Sequence, residues 1–296
     1  MFDKEQEQIR PGSIEDYASE RYFYDIDFEA LKAEKLQQDP DFVFDPEIEK
    51  WFGENVETWL FDPIDTIIST FTMTNPVKLK TVEAISEKNL NYLSLYISLQ
   101  MIRSKEFRNR IIEINERVPL LLMRKMALQK KDYKQLDFLK NVKMKVKNKN
   151  HEKLLHAQFL MNEEVAYKIA EMLRSKIWVI GYNTSEIDLI TSDNPVVRYE
   201  KLGQHGLDSK GIEIMFPITP KLLICIRDPK YFWFDADMHK HFQKFTKDEI
   251  EYYNSFQVLQ SYIYVFGKKK EFQSVSDIVK RRPELKNINR EKIYME

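Results

Sequence analysis

The sequence predicts an α+β fold in which a helical N-terminal half packs on a C-terminal antiparallel sheet. Three observations predict it. Apolar residues recur at three- and four-residue spacings from Pro46 to about residue 174, which is the period of a helix. After Ser175 the texture changes to short runs of β-branched and aromatic residues, broken by polar residues or proline. Hydrophobic residues make up 43% and aromatics 13% of the 296 residues at a formal net charge of -1, so a sizeable core can form and the composition is not that of a disordered chain. No linker-like stretch divides the chain. The expected organisation is a single α+β domain over 1–296, with a mainly helical half over 46–174 and a sheet half with one helix over 175–266.

Residues 1–45 read as irregular. Asp45 before Pro46 reads as a helix N-cap followed by proline at the first helical position. Ile48, Trp51, Phe52, Val56, Trp59 and Leu60 form the apolar stripe of that helix. Asp62-Pro63 is expected to end or kink it, since proline lacks the N–H that a helix interior needs. Ile64, Ile67, Ile68 and Phe71 carry the apolar face onward. One long helix is predicted over 82–117, with Leu90, Leu93, Ile97 and Met101 in one stripe and Gln100 and Arg103 on a neighbouring face. Further helices are predicted over 118–139 and 152–174. Between them, in KNVKMKVKNKN, Lys143, Lys145, Lys147 and Lys149 alternate with other residues. Period two suits an exposed strand edge guarded by lysine, and a solvated connector fits equally well. His151 and His156, five apart, read as surface positions.

The runs IWVIGY, IDLITS, PVVRY, IEIMFPIT and LLICI are the expected strands, with KLGQHGLDSKG joining the third to the fourth. Thr246 with Glu249 forms a capping box for a helix over 246–260. SYIYVFG reads as one more strand.

Composition excludes several classes of function. Glycine is scarce at 7 residues, and neither G-x-G-x-x-G nor G-x-x-x-x-G-K-[ST] occurs, which argues against a glycine-rich phosphate loop and leaves any cofactor unknown. The one cysteine, Cys225, lies inside LLICI and reads as a buried small hydrophobe; a lone thiol suits a reducing compartment. The opening MFDKEQEQIRPG is not a signal peptide, and no apolar run approaches the ~20 residues that span a bilayer. A cytoplasmic protein without a membrane partner is the expectation. The charge is divided: residues 1–102 carry 9 basic and 21 acidic side chains, whereas residues 103–153 carry 16 basic and 6 acidic. The basic segment either packs against the acidic one or presents a nucleic-acid face, with Arg103, Arg108, Arg110, Lys140, Lys143, Lys145 and Lys147 as phosphate contacts. Phe107, Tyr133 and Phe138 are its aromatics, too few to point strongly to base stacking.

The densest polar signal is Thr191-Ser192-Asp193-Asn194-Pro195, between two apolar runs. These side chains hydrogen-bond their own backbone readily, so the string encodes a turn or bulge. The alternative is that Asp193 and Asn194 project from a strand end into a cleft, near the second turn at Phe216-Pro217-Ile218-Thr219-Pro220.

The strings DLITSDNPVV and EIMFPITPKLLICI resemble the bacterial family known as domain of unknown function 4238. KIWVIGY, LYISLQMIRSKEFR, ASERYFYD and IEKWFGENVE fit the same family, so the resemblance spans roughly residues 17 to 266. The resemblance implies no activity. It does imply an opening His-x-x-Pro-x-x-Tyr-Leu element that this chain lacks, its first histidine being His151.

Two functions follow as expectations. One is a cytoplasmic binding or regulatory protein associated with nucleic acid through residues 103–153. The other is a hydrolase with Asp193, Asn194 and Glu213 in a cleft, assisted by Arg103 and Gln100. Weaker patterns carry less. Asp235, Asp237, His239 and His241 have metal-ligand chemistry but read as a surface loop, and no metal site is assigned. Glu213 lacks the Glu-x-Lys of a two-carboxylate nuclease, and Ser192 lacks a G-x-S-x-G elbow.

Overall fold

The computed structural model describes residues 1–12, 58–145, 149–160, 162–203, 206–288 and 290. The helix expected from Pro46, with its Asp45 cap, falls outside them up to residue 57. The fold is α+β, with the helices of the N-terminal half leading into C-terminal sheets.

The helices are cut differently from the sequence expectation. Helix α1 spans Thr58–Met73 and runs through Pro63 instead of ending there. Proline costs a helix a backbone bond, and here the burial of Ile67 against the sheet core offsets it. The long helix expected over 82–117 is two. Helix α2 spans Glu87–Ile102, and α3 spans Lys105–Gln129 through Pro119. The break falls at Ser104, whose hydroxyl accepts the Phe107 N–H at 3.1 Å and caps α3. The boundary expected near residue 117 is absent. Helix α4, Tyr133–Lys140, follows after Lys131, which takes a φ of 54°. The helix expected over 152–174 is likewise two, α5 (Lys149–Leu160) and α6 (Glu163–Arg174). Residues 141–145 form no strand.

A five-stranded sheet is built from β3 (Ile177–Asn183), β5 (Val197–Glu200), β6 (Ile212–Thr219), β7 (Leu222–Arg227) and β8 (His241–Phe245), in the order β5-β6-β7-β3-β8. It is mixed, not purely antiparallel, because β3 pairs with β8 in parallel. Both faces are covered. Trp178, Ile180, Ile214, Ile224 and Phe242 pack on Ile67, Leu93, Ile97 and Leu173 of the N-terminal helices. Val179, Met215, Leu223 and Cys225 pack on Ile250, Tyr253 and Phe256 of α7 (Lys247–Gln260). This two-sided burial explains why IWVIGY and LLICI are continuous apolar runs instead of alternating ones. Gly181 permits the close approach: a Cβ there would lie 1.9 Å from the Phe245 ring. The capping box of Thr246 and Glu249 forms as expected.

A second sheet has the order β2-β1-β9-β4, from β1 (Phe2–Asp3), β2 (Gln8–Ile9), β4 (Thr191–Ser192) and β9 (Tyr264–Phe266). The opening residues are therefore ordered, contrary to the irregular reading; Phe2 and Lys4 are buried. Helix α8, Phe272–Arg281, closes this core with Val275 and Val279 against Phe2, Val258 and Val265. The sheet region thus draws on residues on both sides of 175–266.

His156 is fully buried, where the sequence reading placed it on the surface. Its Nε2 lies 2.6 Å from the Ile102 carbonyl, so the ring N–H ends α2. Burial holds its pKa down at about 4, against the bond to Ile102. The unfolded chain protonates this ring near pH 6.5 and the folded chain only near 4, so stability falls on acidification between those values. The expected loss is about 3 kcal/mol. Urea unfolding at pH 7 and pH 4.5 measures it: His156→Gln should flatten the slope relative to the parent chain, and parallel slopes would count against this origin.

Candidate functional site

The Ser-Asp-Asn-Pro turn sits where β4, β9 and the end of α7 meet. Asp193 uses both carboxylate oxygens on backbone donors: Oδ1 accepts the Tyr262 N–H at 2.7 Å, and Oδ2 accepts those of Ile263 and Tyr264 at 2.7 and 2.9 Å. Burial pushes its pKa above the ordinary carboxylate value, opposed by these N–H groups and by the Lys4 ammonium. Asn194 donates from Nδ2 to the Gln260 carbonyl at 3.0 Å. Three α7 amides, three residues apart, bind the backbone of this whole stretch. Asn254 accepts from Ile190 and donates to the Asp188 carbonyl. Gln257 donates to the Pro195 carbonyl and accepts the Ser192 hydroxyl. Gln260 pairs with both the N–H and the carbonyl of Arg198. Amides at 254, 257 and 260 on a helix otherwise facing apolar cores were the sequence signal for this seam, and sequence reasoning missed it.

Glu213 lies elsewhere, on β6, on the sheet face that α7 covers. Its Oε1 accepts Arg227 Nε at 2.8 Å and the Tyr253 hydroxyl at 3.0 Å. Arg227 also donates to Asp235 at 2.8 Å and to the Tyr253 oxygen at 2.6 Å. Arg227, Glu213 and Asp235 are all buried, and Glu213 Oε2 has no hydrogen-bond partner. Asp235 belongs to a short 3-10 helix, Trp233–Met238, and is not the surface-loop residue expected. His239 accepts the Trp178 N–H at 3.1 Å through Nδ1, and His241 lies in β8. Among the described residues no group of three or more His, Cys, Asp or Glu is arranged to hold a metal ion.

Asp193, in the turn after β4, and Glu213, in β6 of the other sheet, thus have separate partners. Most of Phe216–Pro220 is strand, since β6 runs through Thr219, and at the turn that follows the Pro220 carbonyl accepts the Leu189 N–H at 3.0 Å, four residues before Asp193. Gln100 is half-buried in α2 and Arg103 is its half-buried C-cap. The start of α3 reaches the segment that Asp193 holds, because the Lys105 ammonium lies 5.8 Å from the Tyr262 ring.

The basic segment contains all of α3 and α4. The far end of α3 and α4 close a small core of their own, Leu120, Ala127 and Leu139 with Leu136 and Val142. Around it Lys125, Lys130, Lys131, Lys134 and Lys140 are exposed, as are Lys143 and Lys145 beyond α4. Tyr133 is 71% and Phe138 70% exposed. Leu121, Leu122, Met126 and Leu128 are exposed beside them. Arg108 and Arg110 sit near the other end of α3 and are half-buried; Lys147 lies outside the described residues.

A family model described as "Protein of unknown function (DUF4238)" matches residues 1–271. The chain belongs to the DUF4238 family. No curated protein and no solved structure matches it. In this DUF4238 member the matched span takes in both sheets and the α3–α4 arm, and it ends at Glu271, just before α8. No helix among the described residues is long and apolar enough to cross a membrane.

Proposed function

We propose that the protein is a cytoplasmic binding protein whose working surface is the α3–α4 arm, and that the arm engages nucleic acid. The observation that carries this reading is the combination on the arm of exposed lysines with two exposed rings, Tyr133 and Phe138. Lysines track a phosphate backbone without reading sequence, and exposed rings give bases a stacking platform. Residues 118–145 carry eight basic and two acidic side chains, which supplies the attraction. The hydrolase built on Asp193, Asn194, Glu213, Arg103 and Gln100 has less support. Its two carboxylates are engaged separately, Asp193 by backbone N–H groups and Glu213 by Arg227. The reading treats the chain as one folding unit, since β9 joins the opening strand to the Ser-Asp-Asn-Pro turn.

Fluorescence anisotropy with single-stranded oligonucleotides tests it. Affinity should fall steeply from low to physiological salt, with a log–log slope of roughly 0.7 per phosphate contact. Lys143→Glu with Lys145→Glu and Lys147→Glu should weaken binding further. Tyr133→Ala or Phe138→Ala should each cost about 1–3 kcal/mol of affinity. No binding at low salt, or binding indifferent to salt, removes the nucleic-acid reading. Exposed Leu121, Leu122, Met126 and Leu128 favour a second one, in which the arm docks on an acidic protein partner with an apolar face. Such binding would persist at high salt and be lost in Leu121→Ser with Leu122→Ser.

A further inference from the structure

The sequence reading grouped Arg110 with the lysines of the basic arm. Arg110 instead lies at the root of α3, some 19 residues from Gln129 and so roughly 28 Å along the helix. It stands one turn beyond Glu106, on the stretch of α3 that Arg290 approaches. Arg198, on β5, feels the Arg110 charge: burial first and that repulsion second lower its pKa. Arg290 comes from the C-terminal region, donates from Nη2 to the Ser261 carbonyl at 2.8 Å, and approaches Glu106, one turn before Arg110 on α3, at 3.6 Å. Gln260, next to Ser261, clamps the backbone of Arg198. The end of α7 thus ties Arg290 and the Arg198 backbone to neighbouring residues, and Glu106 links Arg290 to the turn of α3 that carries Arg110.

Their donors are not used up. Arg110 Nε is buried with no hydrogen-bond partner, and so is Arg290 Nη1. The side chain of Arg290 is only 10% exposed. Two carboxylates answer the three cations among the described residues: Glu200, 3.1 Å from Arg198 Nε, and Glu106 beside Arg290. The carbonyls ending α7 contribute about half a negative charge, and the buried Lys4 ammonium, 2.8 Å from the Ser261 carbonyl, already offsets that. A like-charged arginine pair with a buried, unpaired N–H is costly unless an anion completes it. Guanidinium forks fit an anion with several acceptor oxygens and more than one charge.

We propose that Arg110, Arg198 and Arg290 form a binding site for a phosphate group. The site is separate from the arm surface and goes beyond the nucleic-acid reading. Its phosphate comes from a free small molecule or from the phosphorylated end of a nucleic acid, and the chemistry is the same in both.

Thermal melting and calorimetry of the full chain test it, with inorganic phosphate, a 5′-mononucleotide, and oligonucleotides carrying a 5′-phosphate or a 5′-hydroxyl. Inorganic phosphate should raise the melting temperature of the parent chain, and chloride at equal ionic strength should not. Arg110→Gln and Arg198→Gln should each weaken phosphate binding at least tenfold. In phosphate-free buffer Arg110→Gln should leave the melting temperature unchanged or raise it, because it relieves repulsion. A preference for the 5′-phosphate oligonucleotide assigns the group to a nucleic-acid end; mononucleotide binding with no such preference assigns it to a small molecule. A parent chain indifferent to inorganic phosphate and to the mononucleotide, and without preference for the 5′-phosphate oligonucleotide, overturns the site, as does full phosphate binding in the Arg110→Gln, Arg198→Gln double variant. So does a lower phosphate-free melting temperature in Arg110→Gln, which would make that side chain structural. Charge reversal at Lys143 and Lys145 should leave phosphate binding intact, so failure of the arm reading and failure of this site are told apart.

Discussion

Arg227→Met should destabilise the protein by about 3–5 kcal/mol. Arg227 is buried between Glu213 and Asp235, and it also donates to the Tyr253 oxygen. Removing it leaves two buried carboxylates facing each other across an apolar sheet face, with nothing to compensate their charge. Burial pushes the Tyr253 phenol well above its ordinary pKa, so it stays a neutral hydroxyl that donates to Glu213. It cannot take over the role of the cation. Glu213 Oε2 already lacks a partner, which makes the network intolerant of further loss. Urea unfolding measures the effect. Adding Glu213→Met to Arg227→Met should recover much of the loss, because an apolar replacement of a buried pair costs far less than half of one. A cost below about 1 kcal/mol for Arg227→Met would mean the carboxylates take up protons or water in its place.

Asp193→Ala should cost about 3 kcal/mol or more, since three backbone N–H groups lose a charged acceptor at about 1–3 kcal/mol each. The donors belong to Tyr262, Ile263 and Tyr264, where the chain leaves α7 and enters β9. Asp193→Asn is the sharper variant. It keeps the shape but turns an NH2 toward backbone N–H donors, so the melting temperature should fall here too. A melting temperature unchanged or raised by Asp193→Asn, with loss of a cellular phenotype, would overturn the structural role and revive the hydrolase reading. The turn chemistry of Ser-Asp-Asn-Pro was legible from the residue types. What the carboxylate holds was not, because its partners lie about seventy positions further on.

The same divide runs through the elements. The strands at 177–183, 212–219 and 222–227 and the capped helix after Thr246 were legible, because β-branched runs and a capping box are local signals. The helix breaks at Ser104 and at Asn162 were not. Apolar spacing runs on across them, and the serine that ends one helix and caps the next reads as an ordinary polar residue in a long pattern. The opening strand was missed because Phe2–Asp3 is too short to show a period and exists only through its pairing with β9.

By itself the sequence determined the α+β class, the order of most elements, the family resemblance and the crowding of positive charge into residues 103–153. Each of these rests on local composition or spacing. Tertiary structure alone decided that Asp193 and Glu213 have separate partners, that Arg227 sits between two carboxylates, and that the α3 turn carrying Glu106 meets Arg290. These are contacts between residues distant in the chain. They are set by which faces of α7 and of the sheet come together when the apolar surface is buried, and no local pattern encodes that choice.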